Sequence, residues 1–203
     1  MAKRCCRGYD RKVKCPPAPP ICADCGPPKH PCPQGSVFAC CTGSGLQNTS
    51  ACPTTPRSLV CCTVDTTCLC KPLVTLNYNS IINASITVDN PTVGATDAGL
   101  SLTLTFQVKK SCTNGQNIEC GSWTFTRNVN NITGGASVTA VTSDSFGFTF
   151  CDCNPCPACC TYSVELASCT LVSNGGDANT VFAANFGISV PTVILQANDA
   201  CPQ

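Results

Sequence analysis

From about residue 71 onward, apolar and polar side chains alternate with period two, and few folds can satisfy such a pattern. The longest run is Leu100-Ser-Leu-Thr-Leu-Thr-Phe-Gln-Val108, five apolar positions separated by four polar ones. Val74, Leu76 and Tyr78 alternate in the same way, as do Ile82, Ala84, Ile86 and Val88. Trp123 with Phe125, then Phe146, Phe148 and Phe150, then Tyr162, Val164 and Leu166 repeat it. Successive side chains of a strand point to opposite faces, so each run predicts a strand with one dry and one wet face. That is the antiparallel signature. Turn-forming residues bound the runs: Asp89-Asn-Pro, Thr113-Asn-Gly, Asn131-Ile-Thr-Gly-Gly and Ser173-Asn-Gly-Gly. No stretch has a helical period. About eight strands over ~130 residues predict an all-β fold, a two-sheet antiparallel sandwich with a jelly roll as the expected topology.

The second constraint is covalent. Twenty-two of 203 residues are cysteine, above the ~8–10% that marks disulfide scaffolds or metal clusters. Thirteen of them lie in residues 1–70, together with ten of the sixteen prolines. Residues 1–30 carry seven basic side chains against two acidic ones, whereas residues 31–203 carry five basic and nine acidic. Proline removes backbone donors and forces extended or turn conformations, so Cys15-Pro-Pro-Ala-Pro-Pro and Cys25-Gly-Pro-Pro-Lys-His-Pro-Cys-Pro exclude helix. Composition therefore divides the chain into three. Residues 1–33 read as a basic, Cys/Pro-rich connector arm, residues 34–70 as a Cys-rich linking segment that is partly strand, and residues 71–203 as the β-sandwich domain.

Charge and hydropathy exclude several function classes. A formal net charge of +1, with 11% charged residues, offers no field for nucleic acid or an anionic membrane. No apolar run approaches the ~18 residues that span a bilayer. The basic start, Met1-Ala-Lys-Arg-Cys-Cys6, is followed by no apolar stretch of the signal-peptide kind. A disulfide-grade composition without such a signal is expected either to hold metal inside a cell or to leave by another route. Release when a mother cell lyses around a spore is one such route, placing the protein at an extracellular, cell or spore surface.

Candidate chemistry is sparse. Cys151-Asp-Cys-Asn-Pro-Cys-Pro-Ala-Cys-Cys160 contains Cys153-x-x-Cys156 and Cys156-x-x-Cys159, spacings that suit zinc or thiol redox chemistry. The metal candidates on this reading are Cys153, Cys156, Cys159 and Cys160. Against it stand four adjacent pairs, Cys5-Cys6, Cys40-Cys41, Cys61-Cys62 and Cys159-Cys160. Adjacent thiols suit one tetrahedral site poorly, but they can send two disulfides in different directions. Cys151, Cys153, Cys156, Cys159 and Cys160 are accordingly expected as staples within one subunit, at least one of them pairing outside the cluster. Cys5, Cys6, Cys15, Cys22, Cys25 and Cys32 of the arm are expected to crosslink neighbouring subunits. His30, the single histidine, sits between prolines of the arm and is expected to be solvated rather than catalytic. Trp123 lies on an alternating run and is expected in the core. No phosphate loop, HExxH or GxSxG motif occurs, and no carboxylate pair is placed for glycosidase chemistry. The chain is therefore expected to be no enzyme and to need no cofactor.

Three segments carry a family likeness. Leu102-Thr-Leu-Thr-Phe-Gln-Val-Lys-Lys-Ser-Cys112-Thr-Asn-Gly-Gln, Gly121-Ser-Trp-Thr-Phe-Thr-Arg and Ser145-Phe-Gly-Phe-Thr-Phe-Cys-Asp-Cys-Asn-Pro-Cys-Pro-Ala-Cys-Cys-Thr-Tyr162 resemble a clostridial family of cysteine-rich proteins, a domain of unknown function. The likeness covers roughly residues 71–195 and implies a spore-forming anaerobe, with no known activity. The plan of a cysteine-bearing arm before a β-sandwich also looks like that of bacillar endospore appendage subunits. In those, arms cross into neighbouring subunits and disulfides lock the fibre. Together these readings give a structural subunit whose partner is itself, joined through the arm and by strand addition at sheet edges into a crosslinked filament. The competing classes are a metal-binding cysteine-rich protein, holding zinc or iron, and a surface carbohydrate-binding sandwich.

Overall fold

The computed structural model describes residues 36–67, 69, 72–113, 117–153 and 158–199. These residues form nine strands and no helix. In chain order they are β1 (Val37–Thr42), β2 (Leu46–Thr49), β3 (Arg57–Asp65), β4 (Pro72–Asn90), β5 (Ala98–Cys112), β6 (Asn117–Ile132), β7 (Ala136–Cys153), β8 (Cys159–Asn174) and β9 (Val181–Asp199).

Two antiparallel sheets result. One has the order β1-β9-β4-β7, with β2 also paired to β9; the other has the order β3-β8-β5-β6. Counting β1 and β2 as one interrupted strand, four pairings nest inside one another along the chain: β5 with β6, β4 with β7, β3 with β8, and β1/β2 with β9. A long hairpin wound in this way and then joined by the β4–β9 and β5–β8 pairings is a jelly roll, the expected topology.

The alternation builds the core directly. Every even residue of β4 from Pro72 to Asn90 is buried, including Leu76, Tyr78, Ile82 and Ile86. Leu102, Leu104 and Phe106 of β5 face them from the second sheet, with Tyr162 and Leu166 of β8 and Phe186 and Ile188 of β9. Residues 79–81 do not split the β4 pattern into two strands, because Ser80 is itself buried and the single strand continues for nineteen residues.

The sandwich begins before residue 71. The segment 34–70, read above as a linking segment, supplies β1 and β3, which are edge strands of the two sheets. Its alternation becomes visible once cysteine is counted as a small apolar residue. Val37, Ala39 and Cys41 pack on the core, as do Val60, Cys62 and Val64. At one end, the buried Asn90 fastens three connections. Its Nδ2 donates to the carbonyls of Thr96 and Ile132 at 3.0 Å, and its Oδ1 accepts from Thr180 Oγ1 at 3.0 Å.

Candidate cross-linking site

The two lateral openings between the sheets are closed by different chemistry. On the β6/β7 side, rings from both sheets interlock. Trp123 of β6 stacks on Phe148 of β7 with centroids 3.9 Å apart, Phe125 meets Phe146 edge-on at 5.9 Å, and Phe146 stacks on Phe106 at 4.6 Å. Trp123 is thus a packing residue, half-buried at the margin of the core.

The β1/β3 side is closed by sulfur. Cys41 of β1 and Cys62 of β3 form a disulfide that joins the edge of one sheet to the edge of the other. Each belongs to an adjacent pair, and the strand period then determines where the second member goes. Cys40 and Cys61 must point away from the core, and both are exposed free thiols. The doubled cysteines therefore do two jobs: one thiol of each pair staples the sheets, and the other stands on an outer face. Around Cys40, the exposed face carries Phe38, 63% accessible, and Ile194, which pairs with Cys40 across β1 and β9. No charged residue occurs in β1.

Two further disulfides lie within the sandwich. Cys112 and Cys160 are directly opposed on β5 and β8 and are bonded. Cys52, in the β2–β3 connection, reaches Cys169 of β8. The 151–160 cluster thus sends Cys160 outside itself, to Cys112, and Cys159 is disulfide-bonded as well. Cysteines engaged in this way are not thiolate ligands, so two of the four metal candidates serve another purpose. Cys151, expected as a staple, carries a free thiol instead, facing away from the core with its Sγ 4.0 Å from Thr75 Oγ1. The Cys153 side chain and Cys156 lie outside the described residues, as do Cys5, Cys6, Cys15, Cys22, Cys25, Cys32 and His30. Among the described residues, no three His, Cys, Asp or Glu side chains converge as a metal site.

One polar cluster escaped the sequence reading. Lys110 of β5 turns inward, and its Nζ lies 2.6 Å from Asp152 Oδ2 of β7, while Tyr162 Oη of β8 donates to the same oxygen at 2.7 Å. Burial, reinforced by the Asp152 charge, holds the Tyr162 hydroxyl well above its ordinary range. The neighbouring Cys120 thiol is pushed up to about 11, chiefly by burial and then by the Asp152 charge, with Lys110 opposing. The signal was parity: Lys110 continues the inward series Leu100 to Val108, and Asp152 continues Phe146, Phe148 and Phe150.

No helix among the described residues is long and apolar enough to cross a membrane. The disulfides fit an oxidising compartment. No curated protein matches the chain. Among solved structures, a chain from the "Structure of infectious bursal disease virus Gt strain" aligns with 82% of this chain at 12% identity and a TM-score of 0.33; the aligned part is 38% of that viral chain. The profile of a family described as "Domain of unknown function (DUF4489)" matches residues 34–188, which includes every strand from β1 to β8, and the chain belongs to that family.

Proposed function

We propose that this protein is a non-catalytic structural subunit that associates with copies of itself into a disulfide-crosslinked fibre at an extracellular or spore surface. The observation that carries this reading is the pair of exposed thiols, Cys40 and Cys61, on the two edge strands of one side of the sandwich. In an oxidising environment, exposed thiols find partners, and adjacent cysteines on one strand cannot both turn into the same core. The edges support it too. β1 and β7 each pair on one side alone, and β7 offers two acidic residues in eighteen to discourage strand addition. The residues preceding β1 hold six cysteines, Cys5 to Cys32, and in this reading they bond to the outward thiols of a neighbour. Crosslinked subunits cannot leave one at a time, so the fibre's persistence is kinetic.

The test is electrophoresis in boiling detergent without reductant, together with negative-stain microscopy of the oxidised full chain. A ladder of high-mass species and visible filaments, both lost in Cys40→Ser/Cys61→Ser, is the expected result. A single monomer band from the unsubstituted protein would remove the proposal.

A further inference from the structure

Beyond the disulfides, the structure holds a second pair of side chains poised for covalent union. Lys110 and Asp152 join strands of different sheets, β5 and β7. Their side chains are 8% and 18% accessible. An ion pair taken out of water recovers little of what desolvation costs, and this one has no place in the cross-linking scheme above. Its surroundings suit something else. With Nζ 2.6 Å from one carboxylate oxygen, the carboxylate carbon lies one bond further on, so a small rotation of the lysine tip reaches near-attack range (~3–3.5 Å). Tyr162 donates its hydroxyl hydrogen to the oxygen that contacts Lys110, and the Lys110 Nζ lies 5.9 Å from the centre of the Tyr162 ring. Lys110 and Tyr162 are also cross-strand partners, two residues along the ladder from the Cys112–Cys160 disulfide.

We propose that Lys110 and Asp152 condense into an intramolecular isopeptide bond that ties the two sheets together. The step balances without an added reagent. One proton passes from the Lys110 ammonium to Asp152 Oδ2, the oxygen it contacts, leaving a neutral amine and a carboxylic acid. The amine nitrogen attacks Cγ to give a tetrahedral intermediate. A second proton moves from this nitrogen to Oδ2, relayed by the Tyr162 hydroxyl, which is returned intact. The Cγ–Oδ2 bond then breaks, water departs and the nitrogen keeps its bond to Cγ. Two charges largely withdrawn from water become one neutral amide, which needs less hydration than the ions it replaces. Tyr162 touches the departing oxygen and is therefore a catalytic residue of this step.

This inference is independent of fibre formation, because it is read on single chains after full reduction and denaturation. The experiment is intact-mass measurement of the reduced, alkylated full-length protein, followed by tryptic peptide mapping. The expected mass is lower by one water than that of the sequence with every cysteine alkylated. The map should contain a branched peptide joining the segments around Lys110 and Asp152, with no cleavage after Lys110. Recovery of linear peptides with unmodified Lys110 and Asp152 would overturn the proposal, whether or not fibres form. Lys110→Arg should restore the full mass. In freshly refolded Tyr162→Phe, bond formation should slow by about a hundredfold, the usual range of general acid–base help. An unchanged rate in that variant would remove Tyr162 from the chemistry, and with it the proton route proposed here.

Discussion

Substituting Cys52 and Cys169 together by alanine removes a disulfide that spans a separation of 117 residues. Taken alone, a loop of that length restricts the unfolded chain by about 4.9 kcal/mol at room temperature. Cys112–Cys160 already shortens the path from Cys52 to Cys169 to roughly 70 residues, which lowers the effect to about 4.4 kcal/mol. Both sulfurs are only partly buried against the core, so the packing loss is small beside this entropy. The expected loss is therefore about 4 kcal/mol, a large share of the ~5–15 kcal/mol typical of a whole domain. The assay is urea unfolding of dilute protein whose exposed thiols have been alkylated, followed by fluorescence of Trp123, the single tryptophan. Because the change acts on the unfolded state, the released chain should expand and the denaturant slope should rise. A loss under about 1 kcal/mol with an unchanged slope would refute the reasoning.

Asn90→Ala should cost about 3 kcal/mol in the same titration, since three side-chain hydrogen bonds disappear, the one to the Ile132 carbonyl from a buried setting; a loss under about 0.5 kcal/mol would mean that water replaces the clasp. Timed alkylation at neutral pH, read by mass mapping, should label Cys40 and Cys61 well before Cys120, whose thiol is half-buried and raised to about 11; equal rates would show that the β6 margin opens freely. Tyr78 is raised to about 12 by burial, so its folded form keeps a proton that the unfolded chain releases near pH ~10. Its contribution to stability is full below that pH and is lost as pH climbs toward about 12. Tyrosinate absorbance should therefore grow in step with loss of the β-sheet circular dichroism. Ionisation of Tyr78 while the sheets persist would contradict its burial.

Alternation makes the strands β4 to β8 legible in the sequence alone, because an inward residue every second position is a local property of the chain. Pairing was not local. Residue 37 meets residue 197, and no spacing rule announces that contact; the jelly roll was expected from strand number rather than strand order. β1 and β3 were hidden by composition, their inward positions held by Cys41 and Cys62 where Val or Ile would have been recognised. β8 adds a different difficulty. Its register shifts between Leu166 and Ser168, so inward parity changes there and Cys169, odd-numbered, turns to the core side. The doubled cysteines were legible as pairs with divergent directions, but which member faced inward depended on register with neighbours far along the chain. Lys110 and Asp152 carry no local signal of inward placement, because a charge at such a position ends an apolar run; here it marks the place where two runs meet.

The position of the Cys41–Cys62 staple also decides how the molecule would carry tension. A pull on the chain ahead of Val37 enters along β1, an edge strand held by hydrogen bonds to β9 on one flank alone. Such a strand can be peeled pair by pair, each pair yielding at small force. Cys41 is the fifth residue of β1, so peeling from that end stops there. The load then crosses through sulfur into β3 and spreads across the second sheet. Traction on the leading segment would thus strain a covalent bond spanning both sheets before it could unravel either.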